Sequence, residues 1–253
     1  DRVKIIANHS VGVDHCDLDA LQARGVVVTN TPEVLSDATA EIAMLLLLGA
    51  ARRASEGDQM VRTAKWGHWS PSFMVGTQVS GKKIGIVGMG RVGQVMAKRA
   101  RGFDMEVHYN NRTRLPANLE ARAIYHEDVD SLLKESDFLS LHCPATPETN
   151  GFLSAEKIEL LPDGAIVVNT ARGALIDENA LIAALRSGKI AAAGLDVFAH
   201  EPGGNPEFAT LDNIFMLPHI GSATFETRDA MGFRALDNLD AFFSGKEPGD
   251  RVA

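Results

Sequence analysis

The sequence predicts an α/β protein built on a doubly wound parallel sheet, and three observations predict it. Short β-rich runs alternate with helical patterns almost from end to end. Several of those runs are apolar without alternation, which suits parallel strands covered on both faces. One of them, 83–87, passes directly into a glycine-rich turn and then into a helical pattern.

In chain order, strands are expected at 3–7, 26–29, 83–87, 106–110, 122–125, 138–142, 165–169, 192–196 and 214–217. Helical patterns lie between them, among others at 92–102, 128–133 and 178–187. A long helix is expected at 37–53, with Ser36 or Asp37 as its N-cap and Arg52 and Arg53 favourably placed at its C-terminal end. The stretch 66–81, with Trp66, Trp69, Pro71, Phe73 and glycines 67, 76 and 81, reads as a crossing between lobes or an arm that packs on a partner. A last helix, 227–244, is expected to return to the first lobe, because chain ends often lie near each other.

A chain of 253 residues is long for one domain and comfortable for two lobes. Its 45% hydrophobic and 23% charged residues place it with ordinary globular α/β proteins and not with disordered or fibrous ones. The net charge of −8 argues against a nucleic-acid partner, since phosphate affinity needs a basic face. Two cysteines, Cys16 and Cys143, make no disulfide framework, so a reducing, cytoplasmic setting is expected. The longest apolar run, 42–51, is too short for a membrane span of about 20 residues, and no membrane partner is expected. The chain opens at Asp1 in a strand-like run, so an N-terminal piece is expected to lie outside this sequence.

The turn is Gly88, Met89, Gly90, Arg91, Val92, Gly93. Its glycines allow a tight bend, close backbone approach to a pyrophosphate and close helix–strand packing. The helix that follows offers free N–H groups and the positive end of its dipole to phosphates. The position after a strand and before a helix makes this a Rossmann-like dinucleotide loop. Eighteen residues past Gly93, where a carboxylate would bond the ribose 2′-OH of NAD, stands Asn111, followed by Arg112, Thr113 and Arg114. With no carboxylate to repel a 2′-phosphate and two guanidiniums to hold one, NADP(H) is the expected cofactor and NAD(H) the alternative.

Three later segments each bring one polar residue near a strand end. Residues 169–173 carry Arg172, residues 194–202 carry Glu201, and residues 217–222 carry His219. Ligands of doubly wound sheets lie outside the carboxyl ends of the strands. Hydride reduction of a ketone builds negative charge on oxygen, which calls for a proton donor such as His219. A carboxylate like Glu201 fixes an imidazole and stabilises its charged form. A guanidinium like Arg172 grips a substrate carboxylate and polarises the carbonyl. The adjacent pairs His15–Cys16 and His142–Cys143 match no zinc spacing, so no metal is expected.

With these motifs the chain resembles the D-isomer-specific 2-hydroxyacid dehydrogenases, most closely their glyoxylate/hydroxypyruvate reductase branch. The likeness covers nearly the whole chain and includes Val11, Gly12, Val13 and Asp14, the run 37–41, the loop 88–93, residues 169–173, Asp196-Val-Phe followed by Glu201-Pro202, and Pro218-His-Ile-Gly221. It implies that Arg172, Glu201 and His219 are catalytic, and that Val11 and Gly12 offer N–H groups to the substrate carboxylate. It implies further that Arg91 and Val92 touch the pyrophosphate, that Asn111, Arg112 and Thr113 surround the adenosine ribose or its phosphate, and that Pro144 lies by the adenosine. Thr170, Ala171, Arg172, Asp196, His219, Gly221 and Ser222 would line the nicotinamide, with Asp196 holding its carboxamide. The implied organisation is a flavodoxin-like substrate lobe, incomplete at its N-terminus, from 1–50 and 226–253, around a dinucleotide-binding domain at 51–225. A homodimer is also implied.

The expected activity is NADPH-dependent reduction of a small 2-oxo acid to the D-2-hydroxy acid. Two alternatives stand beside it: a dehydrogenase for a bulkier acid of the 2-ketogluconate or phenylpyruvate type, and a non-catalytic dinucleotide-sensing, corepressor-like protein on the same fold.

Overall fold

The computed structural model describes residues 2–253. The chain divides into two compact units: Thr39–Gly221, and a smaller one made of the residues up to Ala38 together with Ser222–Ala253. In chain order the elements are β1 (Ile5–Ala7), α1 (Leu18–Ala23), β2 (Val27–Thr29), α2 (Ser36–Ala51), α3 (Ala54–Arg62), β3 (Lys83–Val87), α4 (Arg91–Gly102), β4 (Glu106–Asn110), α5 (Ala117–Glu120) and β5 (Ile124–Tyr125). They continue with α6 (Val129–Lys134), β6 (Phe138–Leu141), α7 (Ala155–Leu160), β7 (Ala165–Asn169), α8 (Glu178–Ser187), β8 (Ile190–Leu195), β9 (Ile214–Met216) and α9 (Phe225–Phe243).

The larger unit is organised on a parallel sheet of order β5-β4-β3-β6-β7-β8-β9. The chain moves outward from β3 through β4 to β5, then returns to β6 on the other flank of β3. That reversal places a crevice at the carboxyl ends of β3 and β6, where such sheets bind ligands. The interior strands β6 and β7 are buried at every position, as suits their largely apolar runs, with Ser140 and Asn169 the buried polar exceptions. α4 buries Gly93, Met96, Ala97 and Ala100, one stripe at spacings of three and four. Aspartates cap α6 and α8: Asp128 accepts from Asp130 N and Ser131 N, and Asp177 from Asn179 N and Ala180 N.

Every expected strand forms, several of them shorter by one or two residues at an end, while β8 begins two residues earlier than expected. The helix expected at 37–53 stops at Ala51, because Arg53 adopts a left-handed conformation (φ 56°) and pairs with Glu56 in the first turn of α3. Between α3 and β3, residues 63–82 form neither helix nor strand, and Trp66 and Trp69 are exposed.

In the smaller unit β1 and β2 pair in parallel, and Thr29 bridges Arg251 antiparallel. α9 starts two residues before its expected start because Thr224 serves as N-cap, accepting from Thr227 N. Arg234 of α9 holds Asp250 with Nε and Nη2 at 2.8 Å each, a two-pronged guanidinium–carboxylate pair. Among the described residues no helix is long and apolar enough to cross a membrane.

Candidate active site

The glycine loop sits at the carboxyl end of β3. Gly88 has φ +93°, and a Cβ there would lie 2.7 Å from Cys143 Cα and from the carbonyl carbon of His142. Only glycine lets the end of β3 pass so close to the end of β6. Gly90 is the N-cap of α4 without any side-chain cap bond, and nothing lies within 4 Å of a Cβ built on it. The first N–H groups of a three-turn helix therefore face open space across bare backbone, a cradle that fits a pyrophosphate. Arg91, Val92 and Gly93 form the first turn of that helix. Pro144 follows β6, and its carbonyl accepts from Thr149 Oγ1 at 2.8 Å. Burial pushes the neighbouring Cys143 thiol up to about 11, so it stays protonated and unreactive at neutral pH.

The end of β4 is wired differently from the sequence expectation. Asn111 Oδ1 accepts from Met89 N at 2.6 Å, so this side chain ties the β4 end to the glycine loop. Arg114 does not stand beside Arg112 as a second phosphate ligand. Its Nε and Nη2 reach Glu120 at 2.7 and 3.2 Å, and its guanidinium lies over the Tyr125 ring. Glu120 is itself buried and also accepts from Tyr109 Oη at 2.6 Å. Arg114 and Tyr109 together hold its carboxyl below the usual range. A buried carboxylate draws in the nearest guanidinium, and the sequence alone does not show that Glu120 turns inward. Arg112 and Thr113 remain as the candidates for recognising the ribose end.

At the far flank of the sheet, the segments after β7, β8 and β9 carry Arg172, Glu201 and His219. Asn169 ends β7, and its side chain brackets the following turn: Nδ2 donates to Arg172 O at 2.8 Å and Oδ1 accepts from Ala171 N at 2.9 Å. A Cβ on Gly173 would collide with the backbone of Phe198 and Ala199, so glycine brings the Arg172 turn against the segment that carries Glu201. Arg172 Nη1 donates to Ala171 O at 2.7 Å. The Thr170 hydroxyl is buried with no hydrogen-bond partner among the described residues, at the position expected to face a nicotinamide. An orphaned buried hydroxyl costs about 1–3 kcal/mol, which a bound polar ring substituent would relieve.

Glu201 and His219, 18 residues apart, meet at 2.5 Å between Oε2 and Nδ1. The second carboxylate oxygen of Glu201 accepts from Phe198 N at 2.7 Å, which fixes its plane. Both side chains keep part of their surface in solvent, 31% for Glu201 and 49% for His219. Because Nδ1 is engaged, Nε2 is the nitrogen left to act outward. His219 sits at φ 55°, in the left-handed region. Asp196, one residue beyond β8 and almost fully buried, holds it there. Its carbonyl accepts from His219 N at 2.8 Å, and its two carboxylate oxygens accept from Ile220 N at 2.8 Å and Gly221 N at 2.7 Å. Burial pushes the Asp196 carboxyl up, against those two donors and His219, which pull it down. The sequence offered Asp196 only as a nicotinamide contact; its grip on the 219–221 turn had no signal short of the coordinates.

In the smaller unit, the turn at Val11 and Gly12 follows β1. Ser10 O accepts from Thr31 N at 3.0 Å, and Val11 O accepts from the Asn30 side-chain amide at 2.9 Å. In a trans peptide the N–H points opposite to the C=O. The N–H groups of Val11 and Gly12 therefore face away from residues 30 and 31, and neither meets a protein partner among the described residues. Two adjacent, like-directed N–H groups suit a carboxylate. Ser222 opens the C-terminal part of this unit, where its carbonyl accepts from Thr224 N at 3.0 Å. Among the described residues no group of three or more His, Cys, Asp or Glu is arranged to hold a metal ion.

A strand–glycine turn–helix at the switch point, with an imidazole–carboxylate pair on the same sheet, defines a dinucleotide-dependent oxidoreductase. Residues 44–221 match the NAD binding domain of the D-isomer specific 2-hydroxyacid dehydrogenases. The chain is 49% identical over 249 residues to a glycerate dehydrogenase of Hyphomicrobium methylovorum, covering 98% of this chain and 77% of that protein. It is 48% identical over 255 residues to a glyoxylate reductase of Thermococcus litoralis, covering 99% and 77%. Among solved structures it resembles an NADPH-dependent glyoxylate/hydroxypyruvate reductase from Sinorhizobium meliloti in complex with NADP and malonate. That match has a TM-score of 0.90 and 35% identity and covers 99% of this chain and 77% of that one. The chain belongs to the D-isomer specific 2-hydroxyacid dehydrogenase family.

Proposed function

We propose that this oxidoreductase reduces a small 2-oxo acid of the glyoxylate or hydroxypyruvate type to the D-2-hydroxy acid, with NADPH as preferred reductant and NADH as the alternative. The observation that carries the reading is the 2.5 Å contact between His219 Nδ1 and Glu201 Oε2. A proton donor held by a carboxylate is what ketone reduction needs and what dinucleotide sensing does not. Relatives named glycerate dehydrogenase and glyoxylate reductase, at 49% and 48% identity, support the size of the acid.

A bound reduced nicotinamide would supply the hydride that adds to the carbonyl carbon. Glu201 keeps the imidazole of His219 oriented, so that Nε2–H faces the carbonyl oxygen. As that oxygen gains charge, the Nε2 proton passes to it, leaving the hydroxy acid and a neutral imidazole that solvent reprotonates. In the larger unit Arg172 is suited to donate to a substrate carboxylate and polarise the carbonyl; in the smaller unit the N–H groups of Val11 and Gly12 are suited to a carboxylate. Thr170, Ala171, Asp196 and Gly221 would line a bound nicotinamide, with Asp196 as the acceptor for its carboxamide. Gly88, Gly90, Arg91, Val92 and Gly93 would receive the pyrophosphate, Pro144 would lie by the adenosine, and Arg112 and Thr113 would hold the ribose phosphate, with Asn111 tying the β4 end to the glycine loop.

The test is NADPH oxidation with glyoxylate and hydroxypyruvate, by the wild type and by His219→Ala. The variant should lose roughly 100- to 10,000-fold in kcat, the range of a lost general acid. An unchanged kcat removes His219 from the chemistry.

A further inference from the structure

The loop at Val11 and Gly12 is aimed by a residue that no motif singled out. The Ser10–Val11 and Val11–Gly12 peptides both turn their carbonyls toward the end of β2. Thr31 N holds the first at 3.0 Å and Asn30 Nδ2 holds the second at 2.9 Å. Main-chain bonding of this kind is open to any residue at 31, but the second bond needs a side-chain donor at 30. Planarity of the Val11–Gly12 peptide then fixes the Gly12 N–H on the opposite side. Asn30 is itself anchored, since its backbone N–H donates to Asp250 O at 3.2 Å. Asp250 is locked in turn by Arg234, and by Asn238, whose Nδ2 donates to Asp250 Oδ2 at 3.0 Å and whose Oδ1 accepts from Asp250 N at 3.1 Å. A chain of directed bonds thus runs from α9 through Asp250 and Asn30 to one peptide plane.

We infer that Asn30 is a positioning residue for substrate: by gripping Val11 O it holds the Gly12 N–H in the direction that receives the 2-oxo acid's carboxylate, beside the Val11 N–H that Thr31 N sets through Ser10 O. This rests on the proposed role of Val11 and Gly12 as carboxylate donors. Without the Asn30 amide, the peptide is free to rotate about its flanking bonds, and its N–H becomes a disordered donor. Substrate must then be bound at the cost of ordering it. Cofactor binding and the proton transfer at His219 involve none of these atoms, so the loss should fall on KM and not on kcat.

The experiment compares wild type with Asn30→Ala, Asn30→Asp and Asn30→Ser, on glyoxylate and on its uncharged methyl ester. Thermal melting confirms folding in each. Asn30→Asp has the native shape with no N–H to donate, and Asn30→Ser keeps a donor should alanine fail to fold. The expected result is a glyoxylate KM raised about tenfold in Asn30→Asp and Asn30→Ala, the worth of one oriented hydrogen bond. The ester KM, kcat and the NADPH dissociation constant should each stay within about twofold of wild type. Asn30→Ser should fall between alanine and the native residue. If the wild type prefers glyoxylate over its ester and all three variants keep that preference unchanged, the role of Asn30 is overturned while the carboxylate site stands. If the wild type shows no preference, the carboxylate reading of Val11 and Gly12 has failed and the role of Asn30 falls with it.

Discussion

Acidification from pH 7.5 to 5 acts on one imidazole whose response the structure fixes in sign and rough size. His142, at the carboxyl end of β6, meets Ser140 Oγ through Nε2 at 2.8 Å. Burial pushes its pKa down from 6.5 to about 4. Between those two values the unfolded chain takes up a proton that the folded chain does not, so stability falls as pH falls. The penalty is absent above pH 6.5, grows through the window, and is complete below about 4. At 1.36 kcal/mol per pH unit, the full window is worth roughly 3 kcal/mol and the part reached at pH 5 about 2 kcal/mol. Both figures are upper bounds, because His142 as a residue is only partly buried. Urea unfolding at pH 7.5 and 5 of wild type and His142→Gln isolates the effect, since all other groups titrate alike in both proteins. The wild type should lose up to about 2 kcal/mol more than the variant over this range. Equal losses would refute the claim that His142 is held neutral by the fold.

Two other consequences concern the cofactor and the substrate. Arg112→Ala should lower the ratio of kcat/KM for NADPH over NADH, whereas Arg114→Ala should leave that ratio within about twofold and lower the melting temperature, because Arg114 is committed to Glu120. A fall in the ratio on losing Arg114 would show that its guanidinium leaves Glu120 when cofactor binds. Arg172→Lys keeps the charge but loses the planar fork, so steady-state kinetics should show a raised KM and a lowered kcat. Normal kinetics would move Arg172 to a purely structural role.

The sequence carried the large unit of this fold because its signals are local. Apolar runs such as 138–141 and 165–169 need no partner to be read as strands, and a glycine loop between strand and helix declares its own geometry. The Glu201–His219 pair was legible as chemistry, since few reactions use both groups behind such a loop. What stayed hidden depended on side chains meeting across long separations. Arg114 looked like a phosphate ligand because its nearest charged neighbour in sequence is Arg112; only the inward turn of Glu120 shows where it goes. Asn30 looked like a loop asparagine, and nothing in residues 28–32 reveals that its amide ends on Val11 O. The break of the long helix at Arg53 was invisible for another reason: arginine in the left-handed region has no propensity signature.

The Glu201–His219 pair also explains why residues 194–196 and 218–221 have to be read together. β8 and β9 are adjacent parallel strands, with Leu195 beside Met216 in register. Asp196 is the first residue beyond β8, and His219 the third beyond β9. A left-handed histidine costs about 1–2 kcal/mol, so the turn does not adopt φ 55° unaided. Three bonds to Asp196, from the N–H groups of His219, Ile220 and Gly221, supply the offset at about 1 kcal/mol each, more for those to a carboxylate. The same left-handed kink turns the imidazole so that Nδ1 lands on Glu201. A neighbouring strand end thus stores the conformation that a single loop would relax. The orientation of His219 toward Glu201 is thereby set by the sheet.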